Sequence, residues 1–128
     1  MKIFVQIVTA PIPQQLPPRF RDEGTCGSEV EFRGKIRQDE NGAKIDGLHY
    51  EAYEKMALPA LEALLLELEK SWPCLSAEVI HRIGWVPVNE ASIYVRIRSS
   101  HRRESFHFLS DFMTRLKQDI PIWKSPSS

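Results

Sequence analysis

Lys117 and Lys124 stand seven residues apart in the stretch KQDIPIWK, with Pro121 and Trp123 between them. A lysine that loses its proton can act as a nucleophile or as an acid–base group, and a protonated one neutralises an anion. Met113 precedes Lys117 by four residues, so on a helix the two share a face. Pro121 ends any helix, and Ile122 and Trp123 can anchor the chain back onto the body. An anchored Trp123 would fix Lys124, and a fixed lysine near a second cation gives up its proton more readily. Each residue also has an ordinary reading. Lys117 is a favourable cation at a helix C-terminus, Trp123 caps the core, and Lys124 is solvated.

The same predicted helix opens with His101, Arg102 and Arg103, at the end where the helix dipole disfavours cations. Ser99 or Ser100 can cap it. Cationic side chains beside free N–H groups suit an anion such as phosphate, and Arg96 and Arg98 on the preceding strand extend the basic ground. The plainer alternative pairs these arginines with Glu104 or Asp111, because a misplaced charge costs at most about 1 kcal/mol. Arg37 can also reach an anion. His81, on an apolar strand face, reads as a satisfied core histidine. There is no Ser-His-Asp order, P-loop or dinucleotide glycine pattern. The four histidines lack metal-ligand spacing, so no metal is expected. Cys26 and Cys74 form no CxxC and are read as reduced structural thiols.

The elements that must position these residues follow from periodicity. IFVQIV (3–8) reads as a strand, and a proline-rich arm, or a short helix after Pro18, follows it. SEVEFRGKIR alternates, with Val30, Phe32 and Ile36 on one face. QDENGAK is a turn or mobile loop, and KIDGLHYEAY is the return strand. EKMALPALEALLLELEKSW is a helix with Leu61, Leu64, Leu65 and Leu68 on its stripe, starting near Leu58 because of Pro59. SAEVIHRIGW is a strand and VPVNE a turn. ASIYVRIRSS points Ile93, Val95 and Ile97 inward and Tyr94, Arg96 and Arg98 outward. The second helix carries Phe106, Leu109, Met113 and Leu116 at helical spacing.

The expected architecture is α+β, a mostly antiparallel sheet with two main helices packed on it. The 128 residues are read as one domain, 1–128. Seventeen basic residues balance seventeen acidic ones, which leaves no global field for nucleic acid or an anionic membrane. The N-terminal run is too short and polar for a signal peptide or a spanning helix, so a cytoplasmic protein is expected.

In order and spacing, VEFRGKIR, LHYEAYEKMA, VIHRIGWVPVNEASIYVRIRSSHRRESF and LKQDIPIWK resemble one family, the large, catalytic subunit of molybdopterin synthase. The resemblance runs from about Gly27 to Lys124 and implies a hammerhead-type α+β fold. It also implies a sulfurtransferase. A small ubiquitin-like subunit threads its thiocarboxylated Gly-Gly tail into a pocket, and two sulfurs pass to cyclic pyranopterin monophosphate to make the molybdopterin dithiolene. The large subunit would be a homodimer with a small subunit at each outer end, a heterotetramer, with pockets that draw on both protomers. No resident cofactor is implied, because the small subunit supplies the sulfur.

By this match Lys117 and Lys124 are the catalytic pair, and Phe32, Arg37, His101, Arg102 and Met113 bind substrate. Arg37, His101 and Arg102 would hold the phosphate or pterin. Lys117 would act as acid–base group or transient covalent partner, and Lys124 would neutralise the tail or developing negative charge. Three departures stand out. Ser125 and Pro126 replace a basic residue and a Glu after WK, the chain stops at Ser128 where the family continues, and Asn89 stands where the family favours Gly. The first two bear on docking and efficiency, the third on turn conformation. A non-catalytic paralogue that binds a Gly-Gly tail or a phosphorylated pterin is the alternative.

Overall fold

The structure is a computed structural model that describes residues 1–21 and 24–126. Along the chain it forms β1 (Lys2–Val8), β2 (Ser28–Lys35), β3 (Asp39–Glu40), β4 (Ala43–Lys44), β5 (Gly47–Ala52), α1 (Glu54–Ser71), β6 (Ser76–Arg82), β7 (Gly84–Pro87), β8 (Ala91–Ser99), α2 (Arg102–Asp119) and β9 (Ile122–Pro126). A four-stranded sheet has the order β1-β6-β8-β2, with β1 parallel to β6 and the other pairs antiparallel. A three-stranded sheet, β7-β5-β9, stands beside it, and β3-β4 forms a short hairpin. This is the α+β architecture expected from the patterning.

Both helices pack on one face of the larger sheet. Leu61 and Leu65 of α1 and Phe108 and Phe112 of α2 meet Val79, Val95 and Ile97 in one buried cluster. Helix α1 starts at Glu54 rather than near Leu58, which puts Pro59 inside it. The N–H that Pro59 lacks would have met the carbonyl of exposed Lys55, which water can serve instead. On α2 the buried stripe is Ser105, Phe108, Phe112 and Leu116. Leu109 and Met113 flank it, and Phe106 is 56% exposed, contrary to the expected core stripe. Both stripes fit helical spacing and share Leu116, so only packing against the sheet chooses between them.

The opposite face holds the main surprise. Tyr94, Arg96 and Arg98 were expected to point to solvent, yet they are 1%, 2% and 6% exposed. The proline-rich arm runs across them as irregular chain, without the short helix after Pro18; its residues 22 and 23 lie outside the described ones. Prolines donate no N–H and the arm joins no ladder, so its carbonyls are free to accept. Arg96 donates to the carbonyl of Leu16, Arg98 to that of Phe20 (2.9 Å), and Arg33 to those of Pro13 and Gln14 (2.8 and 2.7 Å). Arg96 also pairs with Glu78 and Glu31 (3.2 and 2.9 Å), and Arg98 with Glu29 (2.7 Å). Arg96 and Arg98 therefore fasten the arm and do not extend a basic surface patch.

The segment expected to return against β2 does not do so. β5 pairs with β7 on one side and β9 on the other. A register shift at Gly34/Lys35 re-aims the end of β2. Beyond it Ile36 leaves the main core and packs with Leu48 and Val86 under the smaller sheet. Asn41 and Gly42 both have positive φ, and they form the turn of the β3-β4 hairpin, as an Asn-Gly pair favours. Asn89 also has positive φ. That left-handed conformation suits Gly and is tolerated by Asn, so its departure from the family pattern is absorbed locally. Both cysteines are free, and burial pushes the Cys74 thiol up to about 12. Among the described residues no helix is long and apolar enough to cross a membrane.

The Arg96–Glu78 pair is buried on both sides. Replacing Arg96 by Ala should lower stability in urea unfolding by about 3–5 kcal/mol, because Glu78 is left as an uncompensated buried charge. Replacing both by leucines should recover most of that loss. A single-variant loss below about 1 kcal/mol, the size of an exposed pair, would refute the assignment.

Candidate functional site

A concavity of about 590 Å³ opens where the four-stranded sheet, the C-terminal end of α2 and the smaller sheet meet. One row of the sheet, His81 on β6, Ile93 on β8 and Gly34 on β2, forms part of its wall. Gly34 keeps this wall open, since a Cβ there would stand 2.8 Å from Ile93 Cγ2. Phe32, Ile36, Leu48 and Leu116 add apolar surface. The charged groups at the cleft come from four places: Lys35 and Arg37 at the end of β2, Asp39 and Glu40 on the hairpin, Lys117 on α2 and Lys124 on β9. Four cations against two carboxylates leave a local positive excess in a chain of zero formal charge.

Each element brings its residue here for a local reason. Met113 and Lys117 lie one turn apart on α2, beside the buried Leu116. Helix α2 stops at Asp119 before Pro121, and β9 then pairs with β5, placing Tyr50 opposite Lys124 and Glu51 opposite Trp123. That ladder does the anchoring that the sequence pattern assigns to Trp123. The indole is half exposed and donates Nε1–H to Glu51 (3.2 Å). Lys124 Nζ pairs with Glu40 Oε2 at 3.2 Å. An anion, and not the second cation invoked from the sequence, is thus the partner that holds Lys124.

Of the sequence-predicted site residues, Phe32, Arg37, Met113, Lys117 and Lys124 line this one cleft. His101 and Arg102 do not. They are exposed at the N-terminus of α2, and the length of that helix, Arg102–Asp119, separates them from the cleft. The expected serine cap is also missing. His101 is the N-cap with no side-chain cap bond, and Ser99 instead donates to the His101 carbonyl (2.6 Å). Glu40 and Asp39 belong to what the sequence shows only as a polar loop, and nothing but their nearness to Arg37 could have singled them out.

His81 is both what the sequence suggested and more. It is 4% exposed, its Nδ1 donates to the Arg82 carbonyl (2.9 Å), and its ring packs edge-on against Tyr50 with centroids 5.3 Å apart. Yet it lines the cleft. Its signal in the sequence was a polar side chain at an inward strand position, between Val79 and Ile83. Burial, by penalising the charged ring, holds its pKa below the ordinary 6.5. Among the described residues, no group of three or more His, Cys, Asp or Glu is arranged to hold a metal ion.

The His81 shift sets a pH dependence of stability. The folded chain favours the neutral ring, so this contribution is complete above about pH 6.5 and is lost as pH falls from there through the lowered folded value. Urea unfolding of the native chain between pH 7 and 5 should show that loss, and His81→Asn should show a flatter profile over the same window. Identical slopes would rule the contribution out.

Comparison with known proteins points in one direction. The family model described as MoaE protein matches residues 8–119. The molybdopterin synthase catalytic subunit of Drosophila erecta is 38% identical over 121 residues, which is 94% of this chain but 33% of that protein. The chain thus spans about a third of the length of that fly relative. The catalytic subunit from Thermoplasma volcanium is 37% identical over 99 residues, 77% of this chain and 72% of that protein. Among solved structures, molybdopterin synthase from Staphylococcus aureus superposes with a TM-score of 0.86 at 30% identity, over 94% of this chain and 88% of that one. A complex of subunits 1 and 2 of molybdopterin-converting factor from Helicobacter pylori shares the fold, with a TM-score of 0.73 at 18% identity, over 95% of this chain and 83% of that one.

Proposed function

This chain belongs to the MoaE family, and from that membership we propose that it is the catalytic subunit of a molybdopterin synthase. In this reading it moves sulfur from the thiocarboxylated C-terminus of a small ubiquitin-like subunit to cyclic pyranopterin monophosphate. The observation that carries the reading is the gathering of Arg37, Lys117 and Lys124 around one cleft with apolar walls that include Phe32 and Met113. A Gly-Gly tail is slender enough for a cleft whose wall is relieved at Gly34. Its terminal thiocarboxylate is an anion that Lys124 can neutralise by exchanging Glu40 for it.

Arg37 can hold the substrate phosphate by paired hydrogen bonds. Lys117, in the last turn of α2, lies where tail and pterin would meet and serves as acid–base group or transient covalent partner. Negative charge develops on oxygen and sulfur as the acyl carbon is attacked, and fixed cations stabilise it without reorganisation. His101 and Arg102 cannot join the same cleft from the far end of α2, so the reading places them at the cleft of a second copy. A homodimer carrying a small subunit at each outer end, a heterotetramer, follows. The sulfur donor is the partner's tail, so the reading requires no resident cofactor or metal, and it sets the protein in the cytoplasm.

The decisive experiment combines the chain with a thiocarboxylated small subunit and cyclic pyranopterin monophosphate. Molybdopterin should form. Lys117→Ala should lower turnover by about 10²- to 10⁴-fold while binding of the small subunit stays within a few-fold. An inert native chain beside a working control enzyme, or an unimpaired variant, would overturn the reading. Mixed dimers of Lys117→Ala with Arg102→Ala should regain activity that neither homodimer has, because one of the two clefts is then intact. Without such complementation the shared-cleft arrangement is wrong.

A further inference from the structure

We propose that His81 is the general base of the cleft, its Nε2 taking the proton of the water that frees sulfur from the partner's tail. The proposal rests on the sulfur-transfer reading and adds a residue to it. Along β6 the side chains of Ala77, Val79 and His81 face the helices in turn. The first two are fully buried in the main core. His81 continues their line to the point where the core gives way to the cleft. A valine or leucine there would pack without the cost of desolvating an imidazole.

The ring's chemistry is set by its neighbours. The Arg82 carbonyl can only accept, so Nδ1 carries the proton, and the neutral ring keeps its lone pair on Nε2. Among the described residues no protein group bonds to Nε2, while Tyr50 holds the ring edge-on. The other acceptors at the cleft are poorly placed. Glu40 is engaged by Lys124, and Asp39 is exposed on the hairpin. Lys124 is held in that ion pair, and Lys117 already has its own role where tail and pterin meet.

Sulfur transfer creates the need for such an acceptor. Once the thiocarboxylate sulfur has bonded to a substrate carbon in place of an oxygen substituent, whose C–O bond breaks and which leaves with a proton from solvent, the tail is joined to the pterin as a thioester. Water oxygen then attacks the acyl carbon, and Nε2 takes a water proton as the C–O bond forms. The C–S bond breaks and its electron pair leaves with sulfur as a thiolate on the pterin, while the carboxylic acid so formed gives its remaining proton to solvent and the tail ends as a carboxylate. Nothing is oxidised or reduced. The imidazolium returns its proton to solvent before the second sulfur arrives.

The test uses the reconstituted complex with His81→Asn, His81→Gln and His81→Ala. Each variant that unfolds cooperatively and binds the partner's tail within about two-fold of the native chain should turn over about 10²- to 10³-fold more slowly. Intact-mass spectra should then show the small subunit carrying the pterin as a thioester, and added imidazole should restore turnover to His81→Ala. Native turnover in any variant overturns the proposal. So does lost turnover with no adduct, or with weakened tail binding in all three, since His81 would then be only a wall of the cleft. A native chain that makes no molybdopterin fails the sulfur-transfer reading itself, and this proposal with it.

Discussion

A guanidinium sealed from water on β8, that of Arg96, ties together three separate parts of the chain. It reaches Glu78 on β6, Glu31 on β2 and the carbonyl of Leu16 in the arm. A buried charge without partners costs several kcal/mol, and because both terminal nitrogens of Arg96 find theirs on β6, β2 and the arm, the strand order and the path of the arm are settled together. Hydrogen bonds from Tyr94 and then Arg96 hold the Glu31 carboxyl below its ordinary value, which keeps the network ionised. With the arm closing this face, the helices are left the other. The position of α2 on β8 and β2 then carries Met113 and Lys117 out to the end of the sheet.

The cleft exists because two sheets meet there without merging. The register shift at Gly34/Lys35 turns the chain out of the first sheet, and Ile36 seats it in the second cluster. β5 finds its partners in β7 and β9, so the last strand of the chain is brought back to the strand end that carries Arg37. Residues far apart in sequence thereby share one opening, and each is held by backbone pairing or helix packing more than by its own side chain. The exception is Lys124, whose ion pair with Glu40 ties it to the hairpin across the opening.

Charge is handled differently on the two sides of the molecule. On the arm side, arginines and glutamates neutralise one another inside the structure. At the cleft, cations exceed carboxylates and face an open volume. Zero net charge over the chain therefore says nothing about the site, where a local excess decides which ligand is attracted.

Much of this was legible from residue order alone. Alternation within SEVEFRGKIR and ASIYVRIRSS and helical spacing within EKMALPALEALLLELEKSW and HRRESFHFLSDFMTRLK mark the main elements, though not their exact ends, because burial of one face leaves a periodic trace. The cluster of Phe32, Arg37, Met113, Lys117 and Lys124 came from motif resemblance, which carries three-dimensional neighbourhood implicitly. What could not be read depended on what covers what. The same alternation that put Tyr94, Arg96 and Arg98 on the outer face could not say that an arm lies over it. Two equivalent stripes on α2 could not say which one meets the sheet. The partner of β5, the anion beside Lys124 and the opening beside His81 are set by contacts between distant segments. Sequence by itself determined the main strands and helices and the chemistry available, since both follow from local periodicity and residue type. Tertiary structure alone decided which side chains are dry, paired or open to a ligand, since those depend on surfaces that meet only when the chain is folded.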